Sequence, residues 1–216
     1  MTLNSLPFII PKTRAQRRIG PHNQDVIYVI IGSMLGDSYA EKHGNGIRFT
    51  FQQEESNMEY LIWFYKFLIK RGYCSNIKLK VSTRLSKNCK IRYLYRFRTF
   101  TFTSFNWIRE IFYQNEVKIV PNNISEYLTP LALAVWIQDD GNWHGYGVRI
   151  ATNCFLLAEI KLLIKALENN FNLKCSIHKN RKTYQIYVKA ESITLLRNLV
   201  LPYFDESMYY KLGIKN

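Results

Sequence analysis

The chain has 216 residues, 47% hydrophobic and 21% charged, a balance that supports a packed core and excludes a disordered or fibrous chain. Its 30 lysines and arginines against 16 acids leave a formal charge of +14, which points to a polyanionic partner, nucleic acid first, because such a surface concentrates phosphates and releases their counterions. No uninterrupted apolar stretch is long enough to span a bilayer and no secretory leader is visible, so the protein is expected to be soluble, with no membrane partner. Four scattered cysteines (Cys74, Cys89, Cys154, Cys175) form no CxxC pair and read as free thiols of a reducing compartment rather than a zinc site. The abundance of Ile, Asn, Lys, Tyr and Phe suits an AT-rich genome such as an organelle's.

Residues 1–25 carry Lys12, Arg14, Arg17 and Arg18 among Pro11, Gly20 and Pro21 without an apolar period, and read as a basic arm lying on phosphate or as a solvated tail. From Val26 the segment DVIYVIIGSMLGDSY is apolar nearly all round and ends at Asp37, the pattern of a buried helix. The segment IRFTFQ follows, alternating Ile47, Phe49 and Phe51 with Arg48, Thr50 and Gln52. Next come an amphipathic helix with Tyr60, Leu61, Phe64, Phe67 and Leu68 at helical spacing, and a strand setting Ile77, Leu79 and Val81 against Lys78, Lys80, Ser82 and Arg84. In the strand after it, Arg92, Arg96 and Arg98 oppose Ile91, Tyr93, Tyr95 and Phe97.

The short polar connector around Pro121 leads to a second buried helix, LTPLALAVWIQDDGNW, opened by Thr129-Pro130 and closed by Asp139, Asp140 and Gly141. The order of elements then repeats. Arg149 and Asn153 share a strand parity, Leu157, Ile160, Leu163, Ile164 and Leu167 form an amphipathic helix, Ser176, His178 and Asn180 share a face, and Gln185, Tyr187 and Lys189 oppose Tyr184, Ile186 and Val188. The chain is thus a basic arm (1–25), a first repeat (26–120), a linker (121–129) too short for freely tethered halves, and a second repeat (130–216). Any one alternating strand could be a solvated face. Several together, with outward Arg, Lys, Gln, Asn, Ser and Thr and almost no acid, make a surface with the donors that read phosphates and base edges.

Each buried helix ends in a carboxylate on the unfavourable end of its macrodipole, which calls for local compensation. Small residues such as Gly32, Gly36 and Ala134 would let the helices approach and bring Asp37 near Asp140. Two carboxylates at short range repel unless a cation or proton lies between them, and hard oxygen ligands of this kind suit Mg²⁺ together with phosphate oxygens, the apparatus of phosphodiester hydrolysis.

The segments IIGSMLGDS (30–38) and LAVWIQDDG (133–141) resemble the paired motifs of single-chain LAGLIDADG homing endonucleases, with Asp37 and Asp140 at the motif's penultimate acidic position. Two motifs at this separation within a duplicated frame are a specific signal. The resemblance implies an α+β fold of pseudo-twofold duplicated αββαββα units, with two saddle-shaped antiparallel sheets and a central pair of motif helices, acting as a monomeric pseudo-dimer. It implies Mg²⁺-dependent staggered cleavage across the minor groove of a long asymmetric double-stranded DNA site, with Mn²⁺ as a substitute and Ca²⁺ supporting binding alone.

By the same resemblance Lys118 and Lys211 flank the metal site, 81 and 71 residues after the respective acids, and Gln52 orders water. The second-half counterpart of Gln52 is Ala151, with Asn153 two residues on and on the same face, a departure from the pattern. Ser38 replaces the motif's final glycine, and Val135 and Trp136 are bulkier than its consensus. The basic arm (Arg14, Arg17, Arg18) and the polar strand residues, from Arg48 to Lys189, are the expected DNA contacts. An intron-encoded protein of the mitochondrial or another organellar matrix is implied. The competing readings are an intron maturase that binds its own intron RNA, with or without residual cutting, and a DNA-binding regulator, which calls for a further reader domain that 216 residues are not expected to hold.

Overall fold

The computed structural model describes Arg18, residues 20–85, Cys89 and residues 91–215. Arg14 and Arg17 lie outside the described residues. By packing, the chain divides into two compact units: the described residues up to Val26 with Ser38–Trp107, and Ile27–Asp37 with Ile108–Asn216. This division differs from division by repetition, because most of the first motif helix packs with the second unit.

In the first unit a four-stranded antiparallel sheet has the order β1 (Tyr39–His43), β2 (Gly46–Glu54), β4 (Ile91–Arg98), β3 (Lys80–Leu85). The register sets Thr50 opposite Arg98, Gln52 opposite Arg96, Arg96 opposite Lys80, and Arg84 opposite Arg92, so the polar residues of three strands share one face. On the other face Phe49, Phe51 and Phe97 are buried, and helix α2 (Met58–Lys70) contributes Tyr60, Leu61, Phe64, Tyr65 and Leu68 to the core.

The far end of this sheet departs from the alternation. Strand β3 begins at Lys80 rather than Ile77, and Ile77, Val81, Leu85, Ile91 and Tyr93 are exposed instead of covered. β3 starts late because of Tyr65, whose hydroxyl lies 2.8 Å from Ser75 O and 2.5 Å from Ile77 O and accepts a hydrogen bond from Ile77 N–H at 2.8 Å. This draws residues 75–77 away from the sheet. Lys78 accordingly lies before the strand and not within it. Leu85, Ile91 and Tyr93 stand toward the opposite end of the β3–β4 pair, where Leu85, on the sheet's edge strand, faces Ile91.

In the second unit helix α1 (Gln24–Leu35), from Ile27 onward, packs with helix α5 (Pro130–Asp140). A side chain at Gly32 would meet the Ala132 carbonyl oxygen at 2.3 Å, and one at Gly36 would meet Asp139 Cβ at 2.5 Å. Contacts that advance together along both chains mean the helices run in the same direction. Residues Ala132 to Gln138 are all buried, including Val135 and Trp136, so the bulky residues of this motif are core. Thr129 caps α5 as expected, its hydroxyl accepting from Ala132 N–H at 3.3 Å, with Pro130 in the first turn. The preceding connector holds a short helix, α4 (Ile124–Tyr127), fastened by Asn170 Nδ2 donating to Ser125 O and Leu128 O.

A second antiparallel sheet has the order β7 (Gly141–His144), β8 (Gly147–Ala151), β10 (Thr183–Val188), β9 (Cys175–Asn180), backed by α6 (Leu157–Phe171) and α7 (Ile193–Val200). Its polar face aligns Asn142, Arg149, Tyr187 and Ser176 in one row and Ala151, Gln185 and His178 in the next. Helix α3 (Asn106–Phe112) and the two-stranded ribbon β5 (Tyr113–Gln114) and β6 (Val117–Lys118) complete the elements. Among the described residues no helix is long and apolar enough to cross a membrane, and the four cysteines form no disulfide.

Candidate active site

The parallel approach of α1 and α5 brings their C-terminal ends, and so the acids that follow, into one place. α1 stops at Leu35 and reaches Asp37 through a turn, leaving Asp37 exposed. α5 stays helical through Asp140, which is half-buried. Burial and the neighbouring Asp37 carboxylate push the Asp140 carboxyl up to about 7, against the pull of Lys118 and Lys211. The two acids therefore feel one another as the motif spacing predicts.

The lysines lie at the same place and do something periodicity could not show: each caps one motif helix. Lys118 Nζ, on β6, donates to Gly36 O at 2.8 Å, at the end of α1. Lys211 Nζ, on the 3-10 helix Glu206–Leu212, donates to Asp139 O at 2.9 Å and to Gln138 O, at the end of α5. Helix C-termini carry unsatisfied carbonyls and partial negative charge, and an ammonium neutralises both along with the acid beside it. Lys211 is only 7% exposed. Burial lowers the pKa of both lysines, and Asp37, Asp139 and Asp140 push it back up.

Three further residues belong to this cluster. Asp139 Oδ2 accepts from Asp37 N–H at 3.3 Å, tying the first motif's acid to the second motif, and its side chain fills the space that Gly36 leaves. Its signal was the Asp139-Asp140 pair itself, since a motif needing one acid carries two. Gln138, with no exposed surface, accepts from Asp205 N–H at 2.7 Å through Oε1 and donates from Nε2 to Tyr203 O at 3.4 Å, which seats the segment leading to Lys211. A glutamine in an otherwise apolar helix was the clue there. Cys154 lies within electrostatic reach of Lys118 and Asp140: burial raises its thiol pKa, Lys118 pulls it down and Asp140 pushes it up.

The water-ordering candidates are placed as follows. Gln52 is half-buried on the polar face of β2, within the first unit. Asn153 is exposed and its Oδ1 accepts from Thr183 Oγ1 at 3.0 Å, while Ala151 is paired with Gln185.

The expected DNA contacts fall mainly on the two polar sheet faces. In the first, Arg48 is ion-paired to Glu41 at 2.7 Å and Arg92 to Glu54 at 2.8 Å, and Lys80, Ser82 and Arg84 are exposed. Thr50 is fully buried and accepts from Arg98 Nε at 3.2 Å, so it holds Arg98 rather than presenting a free hydroxyl. In the second, Arg149, Gln185, Tyr187 and His178 are half-buried, with His178 and Tyr187 stacked at 4.7 Å, and Asn180 and Lys189 are exposed. Asn142 and His144 on β7 also lie on this side, a strand too short for its alternation to stand out. Arg18 donates to Thr101 O at 3.2 Å and covers the Phe100 ring at 4.7 Å, contacts within the first unit.

The chain is 41% identical over 213 residues to the cytochrome b mRNA maturase bI2 of Saccharomyces cerevisiae, covering 94% of this chain and half of that one. It is 44% identical over 157 residues to the intron-encoded endonuclease ai4 of Dictyostelium discoideum, covering 70% of this chain and 99% of that one. Among solved structures, the homing endonuclease I-WcaI bound to its DNA recognition sequence superposes with a TM-score of 0.80 at 24% identity, over 95% of each chain, and so shares the fold. Residues 27–196, which span both acid-ended helices and both sheets, match the LAGLIDADG DNA endonuclease family, and the chain belongs to it.

Proposed function

We propose that this protein is a site-specific, Mg²⁺-dependent endonuclease that makes a staggered break in a long asymmetric duplex, working as a monomer. The observation that carries this reading is the single cluster made by Asp37 and Asp140 at the ends of two parallel helices, each helix end capped by a lysine. The residues fit a hard divalent cation. Two carboxylates in mutual repulsion, one of them raised to about 7, favour a positive charge between them. Among the described residues no group of three or more His, Cys, Asp or Glu forms a closed metal cage. Two carboxylates suit Mg²⁺, which keeps waters and takes its other oxygens from phosphate.

Asp37 and Asp140 would hold the ion, which when bound supplies polarisation of the phosphodiester and activation of water. Asp139 fixes the backbone at Asp37 from the opposing helix. Lys211 donates to the Gln138 and Asp139 carbonyls and Lys118 to that of Gly36, so each ammonium is held in a set position from which to stabilise charge developing on a phosphate. Gln52 and Asn153 are assigned to ordering water. The polar sheet faces supply phosphate and base-edge donors to the duplex. The names of the relatives, mRNA maturase and intron-encoded endonuclease, support an organellar, intron-encoded origin.

The maturase identity of the 41% relative favours a second activity, binding of its own intron RNA to promote splicing. One experiment separates the two. Purified protein with Mg²⁺ is given the intronless junction of its host gene as duplex and, separately, its own intron transcript. Cleavage at the junction is the expected result; splicing without any cutting would overturn the endonuclease reading.

A further inference from the structure

Where Tyr65 pulls residues 75–77 off the first sheet, β3 loses its pairing with β4 beyond Lys80 and Arg96, and a cleft of about 220 Å³ opens between the diverted segment and the end of β4. Five cationic side chains line it: Arg48, Lys78, Lys80, Arg96 and Arg98. Glu41 is ion-paired to Arg48 at 2.7 Å and to Arg98 at 3.3 Å. Among the described residues no acid pairs with Lys78, Lys80 or Arg96. The Nε of Arg96 is moreover buried without a hydrogen-bond acceptor, a costly state that an incoming anion would relieve. The wall is built rather than slack, since three contacts to the Tyr65 hydroxyl hold it. The volume is below the roughly 300–1,000 Å³ of sites that enclose drug-sized molecules. It suits one phosphate with its sugar.

We propose that this cleft is a phosphate-anchoring subsite, which takes one backbone phosphate of the bound duplex between Arg96, Lys80 and Lys78 and adds affinity without reading sequence. Four of the five cations share parity with the polar sheet face, so the subsite lies on the surface assigned to the nucleic acid, and the inference rests on that assignment. Arg96 donates the fork of its guanidinium to two phosphate oxygens, and the lysines contribute point charges. Neighbouring side chains on the face remain to contact bases.

The test uses the full protein in Ca²⁺, with its junction duplex, a scrambled duplex of equal length, and inorganic phosphate. The Arg96 Nε–H resonance is followed by ¹⁵N NMR, and affinity is measured against salt for wild type and the Lys78→Gln, Lys80→Gln double variant, whose changes lie at exposed positions. The expected result is an Arg96 signal shifted by both duplexes. In the variant, affinity should fall by the same factor for both duplexes, with a salt slope shallower by about 0.9, the value for one lost phosphate contact. An Arg96 signal unmoved while duplex binds, an unchanged slope, or a loss confined to the junction sequence would overturn the subsite and leave the DNA reading standing. A shift with millimolar phosphate but not with duplex would mark a free-anion site and overturn it as well. Wild type that binds neither duplex would sink the DNA reading itself, and the subsite with it.

Discussion

The two motif helices end alike but hold their acids differently. Asp37 follows a turn and is exposed, whereas Asp140 is still helical, half-buried, and raised to about 7. Lys118, half-buried on a two-residue strand, donates to the Gly36 carbonyl at the end of α1, whereas Lys211, nearly buried, donates to the Gln138 and Asp139 carbonyls of α5 and stands on a segment seated by the buried Gln138. A duplicated site has thus become unequal. The first half offers an exposed carboxylate, and the second offers one whose charge depends on what neutralises it.

The largest expected contrast is in stability. Lys211→Ala removes a buried ammonium from two carbonyls and is expected to cost about 2–3 kcal/mol, against about 1 kcal/mol for Lys118→Ala. At about 2–4 °C per kcal/mol for a chain of this size, thermal melts would separate the two. Equal losses would break the comparison. Both variants should also slow cleavage, and strand-resolved nicking assays should find the two strands unequally affected.

A smaller contrast lies in pH. A carboxyl whose folded pKa is raised binds its proton more readily folded than unfolded, so its contribution to stability is present at low pH and lost as pH rises through about 7. Without divalent cation, melting temperature should therefore fall across that window. Asp140→Asn should abolish the fall, Asp37→Asn should not, and Mg²⁺ should restore stability above pH 7. A wild-type profile with no such fall between about pH 4 and 7, the ordinary and raised values of this carboxyl, would contradict the unequal burial. The smallest effect is expected at the water-ordering positions. Gln52→Ala should slow cleavage more than Asn153→Ala, because Asn153 is exposed and its oxygen is already engaged by Thr183; single-turnover rates test this, and the reverse order would shift the second-half role to Asn153.

Much of the site could be read along the chain because its elements are local. A helix apolar all round that closes on an acid, and a Thr-Pro at the head of its counterpart, are consecutive patterns, as are the alternating strands whose registers align the polar faces. What escaped depends on partners far away. Asp139 is one residue from Asp140, and its task comes from groups distant in the chain, among them Gly36 and the Asp37 N–H. The lysines were placed by family resemblance, but that they cap the two helices depends on contacts more than 70 residues away in the chain. The late start of β3 follows from one tyrosine hydroxyl capturing residues 75–77, which overrides an otherwise regular alternation. Thr50 likewise alternated as an outward residue yet is buried beneath Arg98.

The central claim is that Asp37 and Asp140, unequal in setting, act as one divided site. It is tested most directly by comparing cleavage in Mg²⁺ with duplex binding in Ca²⁺ for Asp37→Asn and Asp140→Asn. Each variant should lose cleavage by roughly 10³-fold or more while its affinity for the junction duplex stays within severalfold of wild type. Cleavage that survives in either variant, or affinity that falls as far as the rate, would contradict the account and leave the acids as structural ends of their helices.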